Sequence, residues 1–246
     1  MEVESQMSPN DLAFRLGYSK DSLPAVVFNR LRHRHGLTSW STETCGRFIL
    51  NDVNKADPDM LPLRLHSHQL AGVHSILRNT FTKDPTDEKR GMLIADEVGL
   101  GKTFQSITTL ATLSDIRFRQ MGNRPLPPLI GQSSNIIFIH CSNVVYSLVE
   151  CPYLGTHNPL PNRPHLIMVP GTLASQWEHE LKTLLVYKSY DILVYGVGRQ
   201  QHAQFWAPDG PYHSSKHEPS QRIIIATHSV RIFIRLVVSL RLITIL

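Results

Sequence analysis

The chain has 246 residues, of which 41% are hydrophobic and 18% are charged, and its formal net charge is +5. This composition favours a soluble globular protein with a good core in one or two domains, and the positive charge is compatible with an anionic partner without requiring one. The three cysteines are far apart, which argues against a disulfide framework or a zinc module. The first ten residues are polar and acidic, unlike a secretory signal.

Residues 1–60 are predicted to be an irregular extension that contains one short helix. Ser8 is the predicted N-cap of this helix and Pro9 occupies its first position, followed by apolar residues that include Phe14. The basic run at residues 30–35 is chemically able to contact phosphate groups, but a solvated basic turn is the simpler interpretation. No role is assigned to it.

From residue 61 onward, short apolar stretches alternate with helical stretches, which is typical of a parallel sheet covered by crossover helices. Four buried strands are predicted at residues 92–95, 166–169, 192–195 and 223–226. A helix is predicted at 103–113, and its apolar face comprises Phe104, Ile107, Leu110 and Ala111. A second is predicted at 172–185, and its apolar face comprises Leu173, Trp177, Leu181 and Leu184. The sequence therefore predicts an α/β fold over residues 61–230.

Two polar segments, at about residues 117–164 and at 207–221, are predicted to be surface insertions. The first contains a scattered set of metal-ligating side chains, namely His140, Cys141, Cys151 and His157. Zinc ligands usually come in closely spaced pairs, so surface or packing roles are preferred for this set. Residues 231–246 form an atypical apolar tail that is too short, and too rich in arginine, to be a membrane span.

The most informative stretch is residues 91–105, GMLIADEVGLGKTFQ, which is predicted to be a strand, a glycine-rich turn and a helix. Glycines on either side of Leu100, at Gly99 and Gly101, allow the turn to point successive N–H groups at a polyphosphate. Lys102 would place its ammonium on the β and γ phosphates, and Thr103 would give its hydroxyl to Mg²⁺. The helix that begins there adds the positive end of its dipole. This pattern predicts a nucleotide site.

The stretch departs from the strict eight-residue phosphate-loop pattern at one position. That pattern has glycine where this chain has Asp96. A glycine turn with an exposed lysine is the alternative interpretation of the motif alone. The apolar stretch before the turn and the helical stretch after it favour the phosphate site.

Residues 95–103, ADEVGLGKT, resemble the first motif of the Swi/Snf (sucrose non-fermenting) ATPases, a family of superfamily-two helicases. Upstream, residues 65–73, LHSHQLAGV, are similar to the segment with which that family reads adenine. The resemblance places Gln69 at the position that contacts the adenine edge. His66, Ser67 and His68 depart from the commonest letters of that segment.

Two further segments resemble family motifs that touch the DNA backbone. They are residues 166–181, LIMVPGTLASQWEHEL, and residues 223–228, IIIATH. The resemblance implies phosphate contacts from Thr172, Ser175, Gln176 and Thr227. Trp177 has the spacing of a core residue, which is preferred over a base-stacking role. His228 stands where the family has an aromatic residue.

The four motifs occur in the family's order, which implies the first, RecA-like lobe of a P-loop NTPase that uses ATP and Mg²⁺. The family resemblance further implies a nuclear DNA-dependent ATPase that acts on double-stranded DNA or chromatin. Hydrolysis in the family needs an Asp-Glu-x-His motif and a second RecA-like lobe. No Asp-Glu pair follows Thr103. We therefore expect an incomplete lobe that does not hydrolyse ATP by itself, with a tail that marks an early stop.

Two other functions are consistent with parts of the sequence. One is a non-enzymatic nucleotide- or DNA-binding module that acts through a partner. The other is a different P-loop enzyme, such as a small-molecule kinase. The kinase would need an acceptor site and an arginine-bearing lid, for which the sequence offers no candidate.

Overall fold

A computed structural model of the chain describes residues 3–18, 23–24, 27–41, 58–81, 92, 94–97, 99–131, 159–196 and 199–227. The chain divides into two compact units. A helical unit comprises residues 1–26 and 64–161, and a sheet unit comprises residues 27–63 and 162–246. The metal-site candidates between residues 140 and 157, His228 and the apolar tail lie outside the described residues.

The described residues of the helical unit form four α-helices: α1 at Pro9–Arg15, α2 at Ser67–Phe81, α3 at Lys102–Met121 and α4 at Pro128–Gly131. Helix α1 starts as predicted, because the Ser8 hydroxyl accepts a hydrogen bond from the Asp11 N–H at 3.2 Å. The exposed fraction of Phe14 is 69%, so this residue does not join the buried face that α1 turns inward. None of the described helices has the length and apolar composition of a membrane span.

Helix α3 extends eight residues beyond its predicted end at residue 113 and reaches Met121, within the predicted insertion. The predicted apolar face is largely confirmed, since Ile107, Leu110 and Ala111 are buried. The strand predicted at 92–95 is not observed: residues 92, 94 and 95 have no strand conformation, and no described residue pairs with them. Apolar composition favours a strand but does not supply its pairing partner.

A buried carboxylate ties the N-terminus of the chain to α2. The Glu4 side chain is fully buried and accepts a hydrogen bond from His74 Nδ1 at 3.0 Å. The Arg78 guanidinium lies 3.1 Å from the same carboxylate. Burial alone would raise the pKa of Glu4, but the His74 hydrogen bond and the Arg78 charge outweigh it, so this pKa is lowered.

In the part of the sheet unit that the structure describes there are five strands and two α-helices. The strands are β1 at Leu31–His33, β2 at Met60–Pro62, β3 at His165–Val169, β4 at Asp191–Tyr195 and β5 at Arg222–Thr227. The helices are α5 at Ala174–Leu184 and α6 at Arg199–Phe205. Strands β1 and β2 pair antiparallel, whereas β3, β5 and β4 form a parallel sheet in that order.

Three of the four predicted strands are thus confirmed, and their burial follows from their positions in the sheet. The central strand β5 is buried along Ile223–Thr227. The edge strand β4 is not buried on both faces as predicted, since Val194 is 44% exposed. Helices α5 and α6 pack against this sheet. The result is the mixed α/β arrangement that the sequence predicts.

Helix α5 presents its predicted apolar face to the sheet, with Trp177, Leu181 and Leu184 buried. Trp177 is therefore a core residue, as predicted. Leu173 is an exception and is 39% exposed. It belongs to a 3₁₀ turn at Gly171–Leu173 that precedes α5, so it is rotated away from the helix face.

The N-terminal part of the sheet unit caps the end of α5. Asn29 Nδ2 donates hydrogen bonds to the carbonyl oxygens of Thr183 at 2.8 Å and Leu185 at 3.0 Å. Trp40 Nε1 donates to the same Leu185 oxygen at 3.1 Å. A helix leaves its last carbonyl groups without partners, and these donors satisfy them. The sequence did not predict an ordered segment here, because its strands β1 and β2 have only three residues each and show no periodic pattern.

We predict that Glu4→Gln lowers the free energy of unfolding of the helical unit by roughly 3 kcal/mol at pH 7, since it removes one partner of a buried ion pair. The lowered pKa of Glu4 means that its contribution is present above the unfolded-state pKa and is lost as the pH falls through the folded-state pKa. Urea unfolding of the wild type and the Glu4→Gln variant at pH 7 and at pH values below 4.5 should show their free energies of unfolding converging as the pH falls.

The matched control is Asp115→Asn, which removes a partly exposed carboxylate that pairs with Arg119 at 2.7 Å within α3 of the same unit. Such pairs contribute about 0.5 kcal/mol or less. Equal losses in the two variants, or a Glu4→Gln loss that does not depend on pH, would contradict the account of the buried cluster.

Candidate nucleotide site

The glycine-rich turn has the left-handed backbone that its two glycines allow. Gly99 has φ +92° and Gly101 has φ +78°, values that side-chain-bearing residues rarely adopt. Gly101 directly precedes α3. The space that a side chain would occupy at Gly99 is open, with no atom within 4 Å, whereas at Gly101 it is filled by the Gln69 amide. Glycine is therefore favoured at both positions by the backbone conformation, and at Gly101 also by the space that the Gln69 amide occupies.

The departure at Asp96 has a simple backbone explanation. Among the described non-glycine residues, positive φ occurs only at Asn123 and Lys188. Asp96 therefore has an ordinary backbone conformation, in which a side chain is tolerated. The glycine of the strict pattern is not required at this position.

Lys102 closes the turn onto itself. Its ammonium Nζ donates to the carbonyl oxygen of Asp96 at 2.7 Å and to that of Glu97 at 3.0 Å. The two residues contribute these contacts through their backbones, so the lysine links the segment before the turn to the start of α3. A partly exposed ammonium held only by neutral carbonyls remains available to an anion.

The start of α2 is joined to the same turn by two donors. Gln69 Nε2 and His68 Nε2 both lie 3.1 Å from the Leu100 carbonyl oxygen, which accepts from both. Gln69 Oε1 accepts from the His66 N–H at 3.0 Å. Both polar groups of the Gln69 amide are thus engaged, and this buried side chain holds Leu100, which is itself 40% exposed.

The groups assembled at the turn suit a polyphosphate. The first N–H groups of α3 have no carbonyl partner within the helix, and the helix dipole favours negative charge there. Lys102 adds an ammonium, and Thr103 places a half-buried hydroxyl in the first turn of α3. A hydroxyl beside bound phosphates is a suitable Mg²⁺ ligand. The described residues contain no cluster of acidic, histidine or cysteine side chains that could hold a metal ion without the nucleotide.

The predicted DNA-contacting residues divide into two groups in the sheet unit. Thr172, Ser175 and Gln176 are exposed at the start of α5. Thr227 pairs with Val169 at the carboxyl end of the sheet, but its side chain is buried and its hydroxyl has no hydrogen-bond partner among the described residues. Thr227 therefore does not present its hydroxyl to solvent, whereas Thr172, Ser175 and Gln176 are exposed.

Sequence reasoning overlooked three residues that contact the turn or its supports, namely His68, Gly72 and Gln105. His68 was treated only as a departure from a motif. A glycine inside a helix is a signal that another group approaches the backbone closely, and Gly72 has this position in α2. No sequence signal identifies the group that approaches it.

The profile of the SNF2-related domain matches residues 25–235, and the chain belongs to this family of P-loop NTPases. The match begins within the segment that the sequence predicts to be an extension. Since β1 and β2 contribute residues 31–33 and 60–62 to the sheet unit, the structure agrees with this earlier start.

Curated relatives match a shorter stretch. The chain is 36% identical over 74 residues to "CHD3-type chromatin-remodeling factor CHR7" of Arabidopsis thaliana, covering 27% of this chain and 6% of the relative. It is 37% identical over 67 residues to "Chromatin-remodeling ATPase INO80" of Debaryomyces hansenii, covering 27% of this chain and 4% of the relative. The chain thus spans a small part of each relative's length. These similarities support a Swi/Snf-type ATPase region.

We predict that Gly101→Ala weakens nucleotide binding more than Gly99→Ala does. Both substitutions force a side chain into a left-handed backbone conformation, at a cost of roughly 1–2 kcal/mol. Only the Gly101 methyl would also displace the Gln69 amide from Leu100. Titration of each purified variant with ATP and Mg²⁺ measures the difference, and equal losses would contradict the role given to Gln69.

Proposed function

We propose that the chain is the ATP-binding, RecA-like first lobe of a Swi/Snf-type DNA-dependent ATPase. The observation that carries the proposal is the turn at Gly99–Gly101, which leads into α3 and is closed by the Lys102 ammonium. The turn, the ammonium and the start of a helix are the parts that bind a triphosphate in P-loop proteins.

In this proposal ATP·Mg²⁺ replaces the self-contacts of the turn. Phosphate oxygens take the place of the carbonyl oxygens of Asp96 and Glu97 as acceptors for Lys102. The exchange is favourable because hydrogen bonds between charged groups are stronger than those to neutral carbonyls. Thr103 supplies its hydroxyl to the Mg²⁺, and Gln69, at the start of α2, meets the adenine edge after releasing one of its present partners.

Turnover requires more than this site. Carboxylates that hold Mg²⁺ and orient water are needed for phosphoryl transfer, and no Asp-Glu pair follows Thr103 in the sequence. We propose that the chain alone binds ATP with little hydrolysis, and that a second RecA-like lobe is its functional partner. Transition-state charge is commonly neutralised by an arginine from outside the phosphate loop, which such a lobe would supply.

We further propose that the start of α5 contacts the sugar-phosphate backbone of double-stranded DNA. Thr172, Ser175 and Gln176 present exposed hydroxyl and amide donors there, beside the positive end of the α5 dipole. Such contacts position a duplex without reading its sequence. Thr227, whose hydroxyl is buried, would join them only after a local rearrangement. Since the matched relatives are named as chromatin-remodelling proteins, chromatin is the proposed substrate and the nucleus the proposed compartment.

The test of the nucleotide site is a titration of the 246-residue chain with ATP and Mg²⁺. We expect Lys102→Ala to weaken binding at least about tenfold, because one hydrogen bond to a charged group contributes roughly 1.5–3 kcal/mol. Lys188→Ala, which removes an ammonium that lies over the Tyr187 ring, is the matched control and should bind normally.

Phosphate release from the same samples, with and without duplex DNA, tests the proposed lack of turnover. A wild-type chain that shows no affinity for ATP, or that binds as well after Lys102→Ala as before, is incompatible with the proposed function. Rapid DNA-stimulated release would overturn only the proposal that a second lobe is needed.

For the DNA contact, we expect the double variant Ser175→Ala, Gln176→Ala to bind duplexes of different sequence more weakly by a similar factor. The factor is roughly fivefold to thirtyfold, at about 1 kcal/mol for each neutral hydrogen bond. The double variant Gln200→Ala, Gln204→Ala on the exposed surface of α6 is the control. Equal affinities of the two variants in a fluorescence anisotropy titration would refute the assignment to α5.

A further inference from the structure

Helices α2 and α3 approach each other closely at one glycine. Gly72 lies in the middle of α2, and a Cβ atom placed there would fall within 3.0 Å of Gln105 Oε1. Real Cβ atoms essentially never come that close to another atom, so a larger residue would displace the amide. Gln105 itself, in the first turns of α3, is completely buried.

The other end of the Gln105 amide reaches the phosphate loop. Its Nε2 donates to Asp96 Oδ2 at 2.7 Å. The backbone carbonyl of that same Asp96 accepts from Lys102 Nζ, also at 2.7 Å. One residue of the turn is therefore held from both sides, through its side chain by Gln105 and through its backbone by Lys102.

The buried amide is an unusual choice for packing alone. Gln105 Oε1 has no hydrogen-bond partner among the described residues. A buried acceptor without a partner is unfavourable, and so is a glycine within a helix. An alanine and an apolar side chain would pack the same two helices without either disadvantage. Among the described residues, the hydrogen bond that the Gln105 side chain makes is the one from its Nε2 to Asp96.

We propose that Gln105 is a positioning residue of the nucleotide site and that Gly72 provides the space it requires. The Gln105 amide fixes the Asp96 side chain, and with it the backbone of the turn that the triphosphate enters. The absence of a side chain at Gly72 leaves the space that the Gln105 amide occupies while its Nε2 contacts Asp96. The inference rests on the proposed function, because the ligand whose binding depends on this alignment is the triphosphate.

The test is a titration of the 246-residue chain with a fluorescent ATP analogue (mant-ATP) and Mg²⁺. Gln105→Met keeps the volume of the side chain and removes the donor. We expect the affinity to fall about tenfold, because without this contact the turn would be in its binding-competent conformation only about a tenth of the time. The control is Gln120→Met at the far end of α3, which removes a partly buried hydrogen bond that the Leu160 N–H donates to Gln120 Oε1 at 2.9 Å. It should leave the affinity unchanged.

Substitutions at Gly72 distinguish a positioning role of Gln105 from a role in packing alone. Gly72→Ala alone should lower both the melting temperature and the affinity, contrary to the usual stabilisation by alanine in a helix. In the double variant Gly72→Ala, Gln105→Ala the clash is removed. The melting temperature should then recover, whereas the affinity should remain low because no donor reaches Asp96.

The possible results distinguish failure of the proposed nucleotide binding from failure of the role proposed for Gln105. If the wild-type chain does not bind mant-ATP, the proposed function fails and this inference fails with it. If the wild type binds and Gln105→Met binds equally well, only the role of Gln105 is overturned. Recovery of both melting temperature and affinity in the double variant would likewise show that the amide serves packing alone. Circular dichroism identifies a single variant that fails to fold. In that case the melting temperature and the affinity of the double variant decide whether Gln105 has a positioning role.

Discussion

The candidate site depends on how one ammonium group is satisfied. A lysine within a glycine-rich turn needs acceptors, and Lys102 finds them in the carbonyl oxygens of Asp96 and Glu97. Those contacts hold the turn in a conformation that already includes the left-handed glycines and the start of α3. A triphosphate that enters such a turn replaces neutral acceptors by charged ones, with little rearrangement of the backbone.

The supports of the turn come from two helices, each of which contributes a buried amide. Gln69 in α2 holds the Leu100 carbonyl, and Gln105 in α3 holds the Asp96 side chain. In each case a glycine on the opposite side leaves room for the amide, Gly101 for the first and Gly72 for the second. Buried polar contacts of this kind are costly unless satisfied, so they fix the geometry of the turn more strongly than apolar packing would.

Much of the site could be predicted from the sequence because its signals are local. The glycines, Lys102 and Thr103 are consecutive or nearly so, and backbone geometry dictates the residue types. The parallel strands β3, β4 and β5 were predicted for the same reason, since each is a short apolar run. Ser8 and Pro9 marked the start of α1 through the chemistry of helix capping.

The rest could not be predicted, because it depends on pairing between distant segments. Strands β1 and β2 are too short to show a pattern, and residues 92–95 show an apolar pattern without a described pairing partner. The contact of Gly72 with Gln105 joins two helices that are far apart in the sequence. Leu173 was misplaced because a 3₁₀ turn breaks the helical period just before α5.

Hydrogen–deuterium exchange of the backbone amides at residues 99–103, with and without saturating ATP·Mg²⁺, tests the central claim most directly. The account predicts that these amides exchange more slowly with nucleotide, because they donate to phosphate oxygens, while the exchange of the α4 amides is unchanged. Identical exchange at residues 99–103 in both conditions would contradict it.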